Sequence, residues 1–443
     1  MIPGILELTS RTKYGMTSRN VPLYLFRPLN QQLGNCIVGC SQNSATNVLA
    51  LVDVPKWETS KLTRGNLNRI LGNCGDFEVE EEALSYQVRK KGYPKNTMFS
   101  IPPYANDRLF VTGDTFNIDP AGCRDVDDVF TIGDDGCFYI TIADVSEWMK
   151  QNPDAMDTAC ELGQTIYSVD GTVIQSMIPF ELECSLTVGQ PRLGLSLRFN
   201  IVDSTISNVS FIKTIIKNDT SYSYDSVYTS PHVNTLKHVV KLMGCDSSDS
   251  HDWVAQLMIF YNIEAAKVLK AKQQGILRTH SSPDIEKLNK FKSLGVDEQF
   301  LAFKSAKYTD TLSGERHWGL DTDVYCHATS PIRRFADIIN QFVLKGDTPP
   351  TVDIDKQNVR TKELKQYTRD AFFIRSLQSG KRYVSGVSLN DHRIWVPEWK
   401  RIVTCKNNST PGSRGKLHFS LNMNQSTWKR RMVFKFEDTA NLE

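Results

Sequence analysis

No stretch of this 443-residue chain approaches the run of ~18 apolar residues that a membrane-spanning helix needs, and its start lacks the charged-then-apolar pattern of a secretory leader. Neither a membrane nor a secretory route is expected. The ten cysteines are scattered, with no C-x-x-C pair, so neither a zinc ribbon nor a disulfide framework is indicated. They read as thiols in a reducing intracellular compartment, cytoplasm or nucleus. Internal repeats and low-complexity tracts are absent. Net charge is also small, at +2, which by itself argues weakly for a nucleic-acid partner. What remains is a chain long enough for two or three domains and a substantial core.

The small net charge hides an uneven distribution. Residues 1–100 carry +4 and residues 376–443 carry +7, whereas 101–375 carry −9. An acidic body between basic flanks suits a protein whose outer parts attract a polyanion while its centre collects metal ions. Ordinary variation in surface charge gives the same pattern, so other features must decide.

Ten residues in the acidic body hold four aspartates: Asp119, Asp125, Asp127 and Asp128, within DPAGCRDVDD. Carboxylates this close resist joint ionisation unless a cation sits among them. All-oxygen ligation suits Mg2+, or Mn2+. The competing reading is a solvated turn rich in aspartate. A helix–loop–helix calcium site fits badly, because Val129 and Phe130 stand where its next carboxylate and glycine belong.

A second segment, YCHATSPIRRFADIINQ at residues 325–341, shifts the balance. Ser330–Pro331 has the form of a helix start. Ile332, Phe335, Ala336, Ile339, Phe342 and Val343 then recur at helical spacing, so one face packs inward. This predicts Arg333 and Arg334 in a first turn, beside unpaired backbone N–H groups, an arrangement suited to phosphate. A salt-bridged helix start is the alternative. Carboxylates for a metal and guanidinium groups for phosphate together equip a phosphodiester hydrolase.

With these residues in view, the chain resembles the RNB catalytic domain of RNase II, RNase R and the eukaryotic exosome's catalytic subunit. The similarity rests on DPAGCRDVDD, IADVS (142–146), GQTIY (163–167), IPFELEC (178–184), GILRTHSSPD (275–284) and TSPIRR (329–334), in that order. The Gly-Cys pair and the LRTHSSP segment resemble the eukaryotic branch more closely. The expected fold is α+β: a mixed α/β RNB catalytic domain over 101–375, flanked by small OB or cold-shock barrels over 1–100 and 376–443. In the first flank, 20–28 and 47–54 read as strands, with Tyr24, Phe26 and Arg27 as candidates for base stacking or for core. In the second, Trp428 and Lys429–Arg431 form a basic cluster that binds RNA or is merely solvated.

The resemblance implies hydrolytic 3′-to-5′ degradation of single-stranded RNA to 5′-mononucleotides. Asp119, Asp125, Asp127 and Asp128 would hold Mg2+, with Asp127 or Asp128 orienting the attacking water. Arg333, and less directly Arg334, would neutralise the phosphate, and Tyr167 would stack on the 3′-terminal base. Thr141 and Thr368 stand where relatives carry His and Glu, and the segment between Tyr224 and Trp253 is shorter than in the family. With no PIN domain seen, exosome membership is not implied, and a free-standing monomer is expected. A catalytically silent RNA-binding RNB protein is the alternative. A two-metal nuclease acting on DNA is a further option that the sequence leaves open.

Overall fold

The computed structural model describes residues 1–57, 62–296, 301–378, 380–422 and 428–438. Short runs rich in aliphatic and aromatic residues, with a longer polar strand last, build five N-terminal strands: β1 (Ile2–Leu6), β2 (Leu23–Pro28), β3 (Cys36–Gly39), β4 (Val48–Asp53) and β5 (Thr63–Asn73). They close into a barrel in the order β1-β2-β3-β5-β4, with β1 and β4 antiparallel at the seam. Tyr24 and Phe26 point into this barrel and are buried with Leu6, Val38 and Val52. The stacking role considered for them is therefore overturned: period-two alternation sends both rings to the core. Arg27 pairs with Glu7.

Asp76 caps the helix Phe77–Val88, which packs on the long helix Ile354–Leu377. The central sheet comprises β6 (Leu109–Phe110), β7 (Gly113–Ile118), β8 (Asp128–Gly133), β9 (Cys137–Ala143), β12 (Pro191–Val202), β13 (Thr205–Lys217) and β14 (Thr220–Tyr222). Between β9 and β12, Ile166–Tyr167 (β10) pairs with Val173–Gln175 (β11). The sheet order is β14-β7-β8-β9-β12-β13-β6, with parallel pairing at the two outer strands.

Every residue of β9 is buried, because both faces of the sheet are covered. Phe130, Ile140, Ile142, Leu195 and Leu197 pack with Trp253, Leu257, Tyr261 and Leu269 of the helix Ser250–Lys272. Val129, Tyr139 and Ala143 lie on the other face, with Phe335, Ile339 and Phe342 of the helix Phe335–Lys345. Each such large side chain contributes ~1.5–3 kcal/mol on burial. Asn262, polar within the apolar stripe, bonds Tyr325, Thr329 and the Ala328 amide, a core hydrogen-bonding role.

Leu277–Thr279 (β15) and Lys307–Thr309 (β16) form a short ladder. The last strands are β17 (Tyr383–Asn390), β18 (Arg393–Val396), β19 (Arg401–Thr404), β20 (Arg414–Leu421) and β21 (Met432–Asp438). Among the described residues they form an open five-stranded sheet, a half-barrel rather than a closed one. Arg431, read from sequence as part of an exposed basic cluster, is buried and ion-paired with Glu80. That contact ties the last sheet to the first helix. The side chains of Trp428 and Lys429 lie outside the described residues.

Candidate active site

Backbone pairing brings the separated motifs together. Asp128 opens β8 opposite Ile142 of β9, and the Asp127 carbonyl accepts the Ala143 amide at 2.8 Å. DPAGCRDVDD and IADVS are therefore neighbouring strands of one ladder. Ser185 pins the same loop: its hydroxyl accepts the Val126 amide at 2.8 Å and donates to the Arg124 carbonyl at 2.9 Å. Gln341 crosses from the helix Phe335–Lys345, donating to the Ala143 carbonyl at 2.7 Å and accepting the Ser146 amide at 3.1 Å.

The TSPIRR segment departs from the predicted helix start. The helix begins at Phe335, and Ser330–Arg333 form a turn in which the Ser330 carbonyl accepts the Arg333 and Arg334 amides. Arg334 is extended (φ −137°, ψ 126°) because it bridges Gln164 of the GQTIY motif. On either side, Thr165 donates to the Arg333 carbonyl and Phe335 to the Gly163 carbonyl. Gly163 has φ 68°, and a Cβ there would lie 2.8 Å from Arg360 Cγ, so glycine permits this approach.

The two arginines consequently part. Arg333 is half-exposed, with Nε 3.4 Å from Asp127 Oδ2 and Nη2 donating to Ser330 Oγ at 3.0 Å. Arg334 turns inward and clasps Asp337 through Nε (3.0 Å) and Nη2 (2.7 Å). Its guanidinium is committed to that carboxylate, so the predicted contact with RNA is not available to it.

The aspartates also divide. Asp119, steadied by Asn117 Nδ2 at 2.9 Å, and Asp128 act on one another electrostatically. Burial raises both carboxyls above their ordinary range, with Asp125 adding to it at Asp119 and with Asp119 and Asp127 adding to it, more strongly, at Asp128. Asp127 is buried and pushed up to about 7 by desolvation, against the opposing pull of Arg333 and the Ile332 amide, which donates to Oδ1 at 3.0 Å. Asp125 accepts the Tyr167 hydroxyl, and its other oxygen faces the Cys123 thiol at 3.6 Å. Neighbours in one segment that act on one another through their charges, the four do not converge as one ligand set: Asp119, Asp125 and Asp127 have separate hydrogen-bond partners. Among the described residues, no three His, Cys, Asp or Glu side chains are arranged to hold an ion.

The donor chemistry nonetheless fits Mg2+, which commonly binds through one or two carboxylates plus water and substrate phosphate. Asp119 and Asp128 form no ion pair among the described residues and both are disfavoured as carboxylates by burial, so a cation beside them would offset that cost.

Tyr224 completes the surroundings and was missed from sequence. It feels the charge of Asp119 and Asp128, stands at about 12 chiefly through burial, and stacks on His251 at 3.9 Å. An aromatic just after a short strand was its one signal. Thr141 lies in a buried hydroxyl chain with Ser196 and Thr214, each link 2.7 Å, while exposed Thr368 bonds the Leu364 carbonyl within its own helix.

The family model for the RNB domain matches residues 108–235 and 229–346, more than half of the chain. The chain belongs to the RNB domain family. It is 25% identical over 399 residues to the exosome complex exonuclease dis3 of Schizosaccharomyces pombe, covering 65% of this chain and 41% of that relative. It thus spans about two fifths of the length of that relative. The fold matches RNase R of Mycoplasma genitalium, solved with ribose-methylated single-stranded RNA, at a TM-score of 0.76 and 16% identity over 98% of this chain and 90% of that one. It also matches yeast Ssd1, described as a pseudonuclease, at a TM-score of 0.65 and 15% identity over 91% and 65%. These likenesses establish the expected mixed α/β fold with its flanking barrel and half-barrel. No helix among the described residues is long and apolar enough to cross a membrane.

Proposed function

We propose that the protein is a Mg2+-dependent hydrolytic exoribonuclease that shortens single-stranded RNA from its 3′ end to 5′-mononucleotides. The observation that carries this reading is the grouping of the aspartate segment with Arg333 and Tyr167 on an RNB scaffold: Arg333 Nε lies 3.4 Å from Asp127, the Tyr167 hydroxyl bonds Asp125, and Asp128 feels the charge of Asp119, Asp127 and Arg333. Polarity and product follow from family resemblance. Asp119 and Asp128 would hold the ion, for which Mn2+ is an alternative. When bound, it would polarise the scissile phosphate and lower the pKa of water.

The remaining chemistry falls to the chain's own groups. Arg333 meets charge that develops on the phosphate, and Asp127 positions Arg333 and the Ile332 amide. Tyr167, anchored through its hydroxyl to Asp125, offers its ring to the terminal base. Asp128→Asn should abolish cleavage while leaving RNA affinity, because affinity comes mostly from backbone contacts elsewhere. Equal turnover by wild type and variant would refute the assignment.

A silent RNA-binding protein is the second reading. It draws on the divided aspartates and on the likeness to Ssd1.

A further inference from the structure

Beside Arg333 lies a second concentration of positive charge. Arg278, on β15, is only 7% exposed, yet its Nη1 has no hydrogen-bond partner and its Nη2 reaches the Ala306 carbonyl at 3.4 Å. Its guanidinium stands 5.0 Å from the Tyr308 ring centre. The Tyr308 hydroxyl is 3.0 Å from His327 Nδ1. Asn358 fixes Tyr308 to the helix Ile354–Leu377 through its amide (2.7 Å) and carbonyl (2.8 Å). Lys365, two turns along that helix, shares the face of Asn358. Arg369 follows, bonded to Gln366 but to no carboxylate among the described residues.

The nearest acid gives no relief. Asp337 is committed to Arg334 and to the Ser330 amide at 2.7 Å. Crowding of its ammonium by protein, then the neighbouring Arg278 and Arg369, hold Lys365 below the ordinary lysine range, although the residue as a whole is exposed. Burial, then Arg334, Arg278, Lys365 and Arg333, keep His327 neutral. Buried guanidinium donors without partners are costly, and a cation cluster lacking acids invites an anion.

We infer that this cluster, buried Arg278 with His327, Lys365 and Arg369 about it, takes a second phosphate of the RNA strand, neighbouring the one at Arg333. The inference rests on the nuclease reading above and deepens it. A diester phosphate supplies the acceptor oxygens that the Arg278 fork lacks. Continuity with Arg333, which also acts on His327, favours a phosphate of the same strand over a separate mononucleotide.

The test measures binding of 5′-fluorescein single-stranded RNA to full-length Asp128→Asn protein across a KCl series. Lys365 is exposed, so Lys365→Gln in this background should fold normally. It should weaken RNA roughly tenfold, as for one lost hydrogen bond to a charged group. The slope of log affinity against log salt should fall by about 0.7. Arg278→Met should behave alike; if it fails to fold, Arg369→Gln serves in its place. Competition by 5′-AMP should be unaffected by Lys365→Gln. Weakened AMP binding with unchanged RNA affinity and slope would mark a product pocket and overturn the proposal. So would retained RNA binding with no change in any variant. Absence of RNA binding by the Asp128→Asn parent would instead overturn the nuclease reading itself.

Discussion

Arg333 and Asp127 meet at 3.4 Å although 206 residues separate them, and Arg334, the next residue, faces the opposite way into Asp337. Identical neighbouring side chains thus carry different duties. Arg333→Ala should lower cleavage about 10²–10³-fold, the usual loss for one charge-stabilising donor, with little change in melting temperature. Arg334→Ala should strand the buried Asp337 and cost about 3–5 kcal/mol of stability. Thermal melts beside turnover on RNA separate the two; equal effects on both readouts would refute the division.

Tyr167 offers two separable features, a ring and a hydroxyl bound to Asp125. Tyr167→Ala should change the limit-product length, since stacking is worth ~1–3 kcal/mol per base. Tyr167→Phe keeps the ring and should preserve that length while altering rate. A product ladder unchanged in Tyr167→Ala would return the residue to a packing role.

Much of this fold was legible in sequence. Runs of β-branched, aromatic and aliphatic residues marked the strands at 23–28 and 48–53, alternation marked 383–390, and the apolar stripe marked the helix Ser250–Lys272. The site motifs were visible as well. What sequence could not supply depends on distant partners. The helix starts at Phe335 because Arg334 pairs with Gln164, and Arg431 leaves its basic run because Glu80, 351 residues away, receives it. Tyr24 and Phe26 were candidates for stacking although aromatics at strand spacing are more often core, and barrel closure turns them inward.

The Arg431–Glu80 pair joins the terminal sheet to the helix Phe77–Val88 with both side chains essentially inaccessible. Arg431→Ala should therefore destabilise by about 3–5 kcal/mol. By the same contact, truncation near Leu377 should lower the melting temperature or solubility, besides flattening the salt dependence of RNA binding. A soluble truncation with wild-type stability would refute the structural role of the last sheet.

His317 sits at about 4, below the ordinary histidine value of 6.5, through burial and then the neighbouring His280 and Arg278. Well above pH 7 it is neutral folded or unfolded and contributes no pH dependence. As pH falls from 6.5 towards 4, the unfolded chain takes a proton that the folded one refuses, so stability declines across that window. His317→Gln should lose less melting temperature than wild type between pH 7 and 5. A parallel loss in both proteins would show that other groups govern the decline.

The central claim is most directly tested by a time course on 5′-labelled single-stranded RNA with Mg2+ and with EDTA. The account predicts a ladder that shortens from the 3′ end only when Mg2+ is present, and that disappears in Asp128→Asn. RNA that is bound yet stays full length in Mg2+ and in Mn2+ would contradict it and identify a silent RNA-binding member of the family.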